Sequence, residues 1–304
     1  MRVGVIDIGS NSVRSLLGNL KEGLEFEYVR GDLITTRLGE GISRSGRLSE
    51  QAICRTIKGV KKLLEVLECY KVKDIYSFAT SAVREAKNGE VFLKALEEET
   101  GLRADVLTGE EEAALNLLGV ETGIGVKDGY LLFDIGGGST EVVLKVGEEI
   151  ILKSYPIGAL KIKERFGNEL KDACCFLEAF WREEASDLRR QIQDVSSFIG
   201  IGGTLSALVL LKKEASSYDI KAVHGQTIDI HWLYKKIMEL RKLNLEEMKS
   251  LLPFDPGRAY IFLQGSALLF SLMSFFSAYE IKVSETDLLW GALVKRWGVK
   301  VFKL

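Results

Sequence analysis

Val3-Gly4-Val5-Ile6-Asp7-Ile8-Gly9-Ser10-Asn11-Ser12 and Tyr130-Leu131-Leu132-Phe133-Asp134-Ile135-Gly136-Gly137-Gly138-Ser139-Thr140 follow one plan. Each is an apolar run ending in Asp-Ile-Gly, then small hydroxylated residues, then a second apolar run. A continuous apolar run of this kind reads as a strand covered on both faces, and the turn sends the chain back beside it. The first copy predicts strands over 2–8, 13–20 and 24–31; the second predicts strands over 130–135, 140–146 and 149–155. Ser49 is placed to cap a helix running to about Tyr70, with Ile53, Ile57, Val60, Leu64 and Leu67 on one face. Strands over 74–80 and 104–108 then alternate with helices over 90–100 and 110–119. In the second half, helices over 171–194, 203–213, 229–241, 256–278 and 286–297 flank strands over 196–201 and 281–284. The order βββαβαβα therefore occurs twice, the second time with helical insertions, which makes this a duplicated α/β chain of two similar domains. The boundary falls in the segment 119–129, punctuated by Gly119, Gly123, Gly125 and Gly129.

Composition narrows the class. The 304 residues include 30 glycines but only 3 prolines, a surplus of one without the other that excludes collagen-like and disordered chains. The 41 basic residues are balanced by 43 acidic ones, so no globally basic surface for duplex nucleic acid exists. Cys54, Cys69, Cys174 and Cys175 form no CxxC pair, and with two histidines in the chain a zinc site is not expected. Reduced thiols point to a cytosolic protein. Asp7 interrupts the N-terminal apolar run before it reaches signal-peptide length. The apolar stretch 259–278 carries Gln264, Gly265, Ser266, Ser271 and Ser274, which reads as a buried core helix rather than a membrane span.

The glycines concentrate where strands end. Gly9-Ser10-Asn11-Ser12, Gly136-Gly137-Gly138-Ser139-Thr140 and Gly202-Gly203-Thr204 each follow a predicted strand. Such turns expose backbone amides to anionic oxygens, and the last opens a helix whose positive end favours phosphate. The plain alternative is three ordinary tight turns. Neither a P-loop Gly-Lys-Ser/Thr nor a GxGxxG with a ribose-binding acid is present. Asp7 and Asp134 end matched strands and are expected to face each other across a cleft between the domains. Carboxylates aimed at phosphates commonly work through a divalent cation such as Mg²⁺, although each could instead bond its own turn. Glu110-Glu111-Glu112 and Arg84 read, on composition alone, as surface charge at helix ends.

Together these blocks resemble a known family. Val5–Ser12, Ala79-Thr80-Ser81-Ala82-Val83-Arg84-Glu85-Ala86, Gly109-Glu110-Glu111-Glu112-Ala113 and Asp134–Glu141 are similar to the signature blocks of the exopolyphosphatase/guanosine pentaphosphate phosphohydrolase family. Thr36–Gly41, Asn88-Gly89-Glu90 and His224-Gly225 fit as well, so the resemblance runs from residue 3 to about 297. It implies the acetate kinase–sugar kinase–Hsp70–actin fold: two ribonuclease H-like (actin-like ATPase) domains with a cleft between them. The family's C-terminal helix returns to the first domain, which implies domain I at 1–120 plus 286–304 and domain II at 121–285.

The resemblance also implies roles. Glu112 falls on the family's catalytic glutamate, a general base for the water that attacks a terminal phosphoryl group. Arg84 falls on its phosphate-contacting arginine. Gly9, Ser10, Asn11, Ser12, Gly136, Gly137, Gly138, Ser139, Thr140, Gly202, Gly203 and Thr204 would hold phosphates. Asp134 and Glu141, with Asp7 as a third candidate, would stand beside Mg²⁺ or another divalent cation and the nucleophilic water. The implied substrate is a phosphoanhydride, either inorganic polyphosphate or guanosine pentaphosphate, and the pattern does not separate the two. A homodimer is common in the family; no nucleic acid or membrane partner is implied.

Three departures stand out. Ala114 stands where the family often has arginine, and Ser284-Glu285-Thr286-Asp287-Leu288-Leu289-Trp290-Gly291 replaces its usual Ser-Asp-Gly-Gly-Leu-Arg-Glu-Gly. The extra C-terminal helical domains of long members, which help grip extended polyphosphate, are absent from this sequence. Arg30, Arg37, Arg44 and Arg47 form a basic loop expected to face the substrate. The competing readings are an ATP-dependent kinase of the same fold, for which no segment specifies an adenosine pocket, and a nucleotide or alarmone sensor that binds without turnover. An actin-like assembly protein is a further reading, for which no assembly surface is evident.

Overall fold

The computed structural model describes residues 1–125 and 129–304; positions 126–128 of the glycine-dotted boundary segment lie outside the described residues. The chain forms two compact units, Met1–Gly125 with Thr286–Leu304, and Val126–Glu285.

In the first unit, β1 (Arg2–Ile8), β2 (Ser12–Leu20) and β3 (Glu25–Thr35) form an antiparallel meander. β4 (Asp74–Ala79) and the two-residue β5 (Asp105–Val106) add on the other side of β1, both parallel to it. A short C-terminal strand, Val301–Lys303, pairs in parallel with β3 and covers that edge. The sheet order is therefore Val301–Lys303, β3, β2, β1, β4, β5. All of β1 after Arg2 is buried, as its unbroken apolar run predicts. The Ser49 hydroxyl caps the helix Glu50–Cys69 by accepting from the Ala52 N–H at 3.2 Å, and Ala52, Ile57, Val60, Leu63 and Leu67 face the core.

The second unit repeats the plan. β6 (Tyr130–Ile135), β7 (Thr140–Val146) and β8 (Glu149–Tyr155) form the meander, with β9 (Ser197–Ile201) parallel to β6. β10 (Thr227–Asp229) pairs antiparallel with β11 (Glu280–Val283), giving the order β10, β11, β9, β6, β7, β8. Without one edge strand apiece, the two sheets share a single order: a meander, then two strands parallel to its first. The duplicated α/β architecture expected from the two Asp-Ile-Gly stretches is present.

Several elements differ from expectation. The single helix over 171–194 is two, Leu170–Glu184 and Ser186–Arg189, because Ala185 (φ −122°, ψ 6°) leaves helical geometry and Leu188 turns back into the core. The helix over 256–278 starts as a 3₁₀ turn at Pro256–Tyr260, capped by Asp255, before Phe262–Phe275. Phe262–Leu269 is buried throughout, and no described helix is long and apolar enough to cross a membrane. The strand over 104–108 shortens to Asp105–Val106 because Thr108 begins the next helix. Helices at Ala159–Phe166 and Leu245–Leu251 and the C-terminal strand are additions that periodicity did not mark.

Candidate active site

In the first unit the candidate residues gather at the carboxyl ends of β1, β4 and β5, where open α/β sheets place ligands. The register aligns Ile8 with Ala79 and Ala79 with Val106, so three loops leave the sheet side by side. After β1 the chain turns tightly: the Gly9 N–H donates to the Ser12 carbonyl at 3.0 Å, and a Cβ on Gly9 would stand 3.0 Å from that oxygen. The loop after β3 docks on this turn. Thr36 and Arg37 N–H groups donate to the Asn11 carbonyl at 3.0 and 2.8 Å, and Gly39 N–H to the Ser10 carbonyl at 2.9 Å. Thr36–Gly39 of the basic stretch thus lies against the first glycine turn, whereas Arg30 sits on β3 rather than in a loop and is engaged by Asp32 at 2.7 Å.

The triple-acid block divides by role. Glu111 completes a capping box with Thr108: its N–H meets the Thr108 hydroxyl at 3.1 Å, and its carboxylate accepts from the Thr108 N–H at 2.8 Å. Glu110 is exposed. Glu112 turns inward, 5% exposed, and is ion-paired with Arg84, whose Nη1 also donates to the Leu107 carbonyl at 2.6 Å. A buried carboxylate oriented by a guanidinium is unlike the solvated charge that composition alone describes.

Asp7 and Arg14 face each other across β1 and β2. Arg14 gives Nε and Nη2 to Asp7 Oδ2, at 3.0 and 2.7 Å, and Nη1 to Asp287. Burial pushes the Asp7 carboxyl above its usual range, with Arg14 opposing the shift. Burial likewise works against the Arg14 charge, but Asp287 and Asp7 more than offset it and hold the guanidinium protonated. Asp7 Oδ1 is buried and has no hydrogen-bond partner among the described residues.

The second unit repeats the turn. The Gly136 N–H donates to the Ser139 carbonyl at 3.1 Å, and a Cβ on Gly136 would again stand 3.0 Å from that oxygen. Here Asp134 faces Glu141 across the strands. Glu141 is 2% exposed and accepts from the Ser154 hydroxyl at 2.8 Å. Gly202, at φ +98°, brings the next loop against Asp134, whose Oδ1 lies 3.0 Å from where its Cβ would be. The Thr140 hydroxyl donates to the Ile157 carbonyl at 2.6 Å, and that of Thr204 is buried against Gly265. These two residues therefore have backbone rather than hydroxyl groups to offer an anion.

One residue escaped the sequence reading. Arg258, 7% exposed, is fixed by Asp255 through Nε at 2.8 Å and lays its guanidinium on Gly203, where a Cβ would come within 2.7 Å of Nη1. It lies far along the chain from the loop it covers; the only local cue was Asp255-Pro256-Gly257, a capped turn.

Among the described residues no group of three or more His, Cys, Asp or Glu side chains could hold a metal ion. Mg²⁺, however, needs only one or two carboxylates beside phosphate oxygens and water. The facing carboxylates Asp134 and Glu141 fit that donor set. Asp7 fits less well, since Arg14 already balances its charge.

A model of the Ppx/GppA phosphatase family matches residues 19–297. The chain is 31% identical over 306 residues to the bifunctional 3-dehydroquinate synthase/phosphatase of Fusobacterium nucleatum, covering 95% of this chain but only 46% of that one. It therefore spans less than half of that relative's length. It is 28% identical over 323 residues to exopolyphosphatase 2 of Mycobacterium tuberculosis, covering 98% of this chain and 99% of the other. The crystal structure of the Aquifex aeolicus member of the Ppx/GppA family superposes with a TM-score of 0.77 at 29% identity over 97% of each chain.

Proposed function

The chain belongs to the Ppx/GppA phosphatase family, and we propose on that premise that it is a phosphohydrolase releasing terminal phosphate from inorganic polyphosphate, guanosine pentaphosphate or both. The observation that carries this reading is the ion pair between buried Glu112 and half-buried Arg84 at the carboxyl ends of β1, β4 and β5. Glu112 takes a proton from a water whose oxygen attacks the terminal phosphorus; the bridging P–O bond breaks, and its electron pair leaves with the shortened chain. Arg84 offers its remaining N–H groups to the phosphoryl oxygens while its bond to the Leu107 carbonyl keeps it in place.

Within each unit taken by itself, backbone amides would hold phosphate oxygens: those of the 9–12 turn in the first, and those of the 136–138 and 202–204 turns, with Arg258, in the second. Asp134 and Glu141 would hold a divalent cation, which when bound supplies positive charge against the phosphate oxygens. The four cysteines are free, which fits a cytoplasmic protein. Phosphate release from both substrates, measured for the unaltered chain and Glu112→Gln, tests the reading. Binding without release by the unaltered chain would favour a sensor instead.

A further inference from the structure

The C-terminal segment enters the first unit through Asp287, and every acceptor of that residue is engaged. Oδ1 caps the helix Leu288–Trp297, accepting from the Leu289 N–H at 3.1 Å, and the backbone carbonyl accepts from Gly291 N–H at 2.9 Å. Oδ2 takes Arg14 Nη1, and the same guanidinium grips Asp7 Oδ2. The other Asp7 oxygen lies 3.9 Å from where a Cβ of Gly9 would stand, so this chain of charges ends at the first glycine turn.

Asp287 also packs on the helix Gly109–Ile124 that carries Glu112. A Cβ on Gly119 would collide with the Asp287 carbonyl oxygen and stand 3.0 Å from the Gly291 N. A Cβ on Gly291 would collide with the Leu115 carbonyl, and one on Gly123 with Thr286. Two helices whose backbones touch through glycine cannot slide past one another without opening a gap. Asp287 thus reaches Asp7, next to the first glycine turn, through Arg14, and packs directly on the helix that presents Glu112.

We propose that Asp287 is a positioning residue for the hydrolytic reaction: through Arg14 it aims Asp7 and the 9–12 turn, and through its backbone it registers them against the Glu112 helix. The inference rests on the phosphohydrolase reading but is separable from it. An ordinary helix cap would need only Oδ1; the second oxygen and Arg14 make the device.

Asp287→Asn separates the two roles, because asparagine caps as well as aspartate but carries no charge for Arg14. Its thermal unfolding midpoint should fall only modestly, because the helix cap and the Arg14–Asp7 bonds remain while one charge partner is lost. Its kcat for phosphate release should fall by about tenfold to a hundredfold, the cost of misaligned groups, with KM nearly unchanged. Arg14→Gln should fall similarly, and the double variant should be no worse than either single one. Amide hydrogen exchange at residues 9–12 and 109–112 should quicken in Asp287→Asn, a readout that needs no turnover. Unchanged kcat together with unchanged exchange would overturn the proposal, as would losses that add in the double variant. If the unaltered chain releases no phosphate, the functional reading fails, and exchange alone then decides the positioning role.

Discussion

Asp134 and Glu141 face each other across β6 and β7 at the register position that Asp7 and Arg14 occupy across β1 and β2. The backbone of the two turns is the same to within a tenth of an ångström in its closing hydrogen bond, 3.0 Å at Gly9 and 3.1 Å at Gly136. Duplication has therefore kept the scaffold and changed one charge. In the first unit the aspartate has an internal cation; in the second it has another carboxylate. On the proposed reading, a divalent cation would bind at the second pair.

Asp134→Asn and Glu141→Gln should each raise the Mg²⁺ concentration for half-maximal phosphate release, by at least about tenfold. Asp7→Asn should alter the Mg²⁺ requirement far less, because Arg14 already balances that charge. A magnesium titration of phosphate release by all three variants distinguishes the positions. An Asp7→Asn shift as large as that of Asp134→Asn would move the cation to the first unit.

Much of this arrangement was legible before the structure. Continuous apolar runs ending in Asp-Ile-Gly specify a covered strand and a tight turn with little tertiary help, which is why β1 and β6 fall where expected. Glu112 was different. The resemblance singles it out, but composition leaves it one of three consecutive acids; the capping box, which assigns Glu111 to Thr108, accompanies the inward turn of its neighbour toward Arg84. Arg258 was not legible at all, since its position over Gly203 depends on how the 3₁₀ turn at Pro256–Tyr260 packs. Trp290 lies on the helix expected over 286–297 and packs as a core anchor, its ring stacked on Tyr28 at 5.8 Å and edge-on to Phe26 at 5.7 Å.

The base assignment makes a quantitative demand. Glu112→Gln keeps the shape of the side chain and its contact with Arg84 but cannot accept the proton of the attacking water. Its kcat should fall by about 10²- to 10⁴-fold, the usual span for a lost general base, with KM little changed. Steady-state phosphate release over a range of substrate concentrations separates the two parameters. A variant that kept its kcat would remove Glu112 from the reaction.

Arg258 and Gly203 should fail together. Arg258→Lys leaves a point charge without the planar fork, so substrate binding should weaken by roughly tenfold to a hundredfold, the worth of a charge-assisted hydrogen bond. Gly203→Ala should weaken binding comparably from the opposite side, because its methyl group would occupy the guanidinium's place. Combining the two should add little to either. KM values for the three proteins measure the coupling, and independent, additive losses would mean that Arg258 does not serve this loop.

A last prediction concerns stability in alkali. Tyr155 is 5% exposed, packs edge-on against Trp181 at 5.3 Å, and has a buried hydroxyl with no hydrogen-bond partner among the described residues. Burial, aided by Glu184, pushes its phenol from 10.0 to about 12. The unfolded chain therefore loses this proton first as pH rises, and the folded state holds it longer. The contribution to stability is complete below pH 10 and is lost as pH climbs toward 12. Tyr155→Phe keeps the ring contacts and has no proton to lose. It should match or exceed the unaltered chain at pH 8, because an unbonded hydroxyl is expensive to bury. Its advantage should then widen steadily between pH 10 and 12, the range set by the upward shift of the phenol. Urea unfolding at matched pH values reads the difference directly, and parallel stability curves for the two proteins would show that the phenol titrates as it does in the unfolded chain.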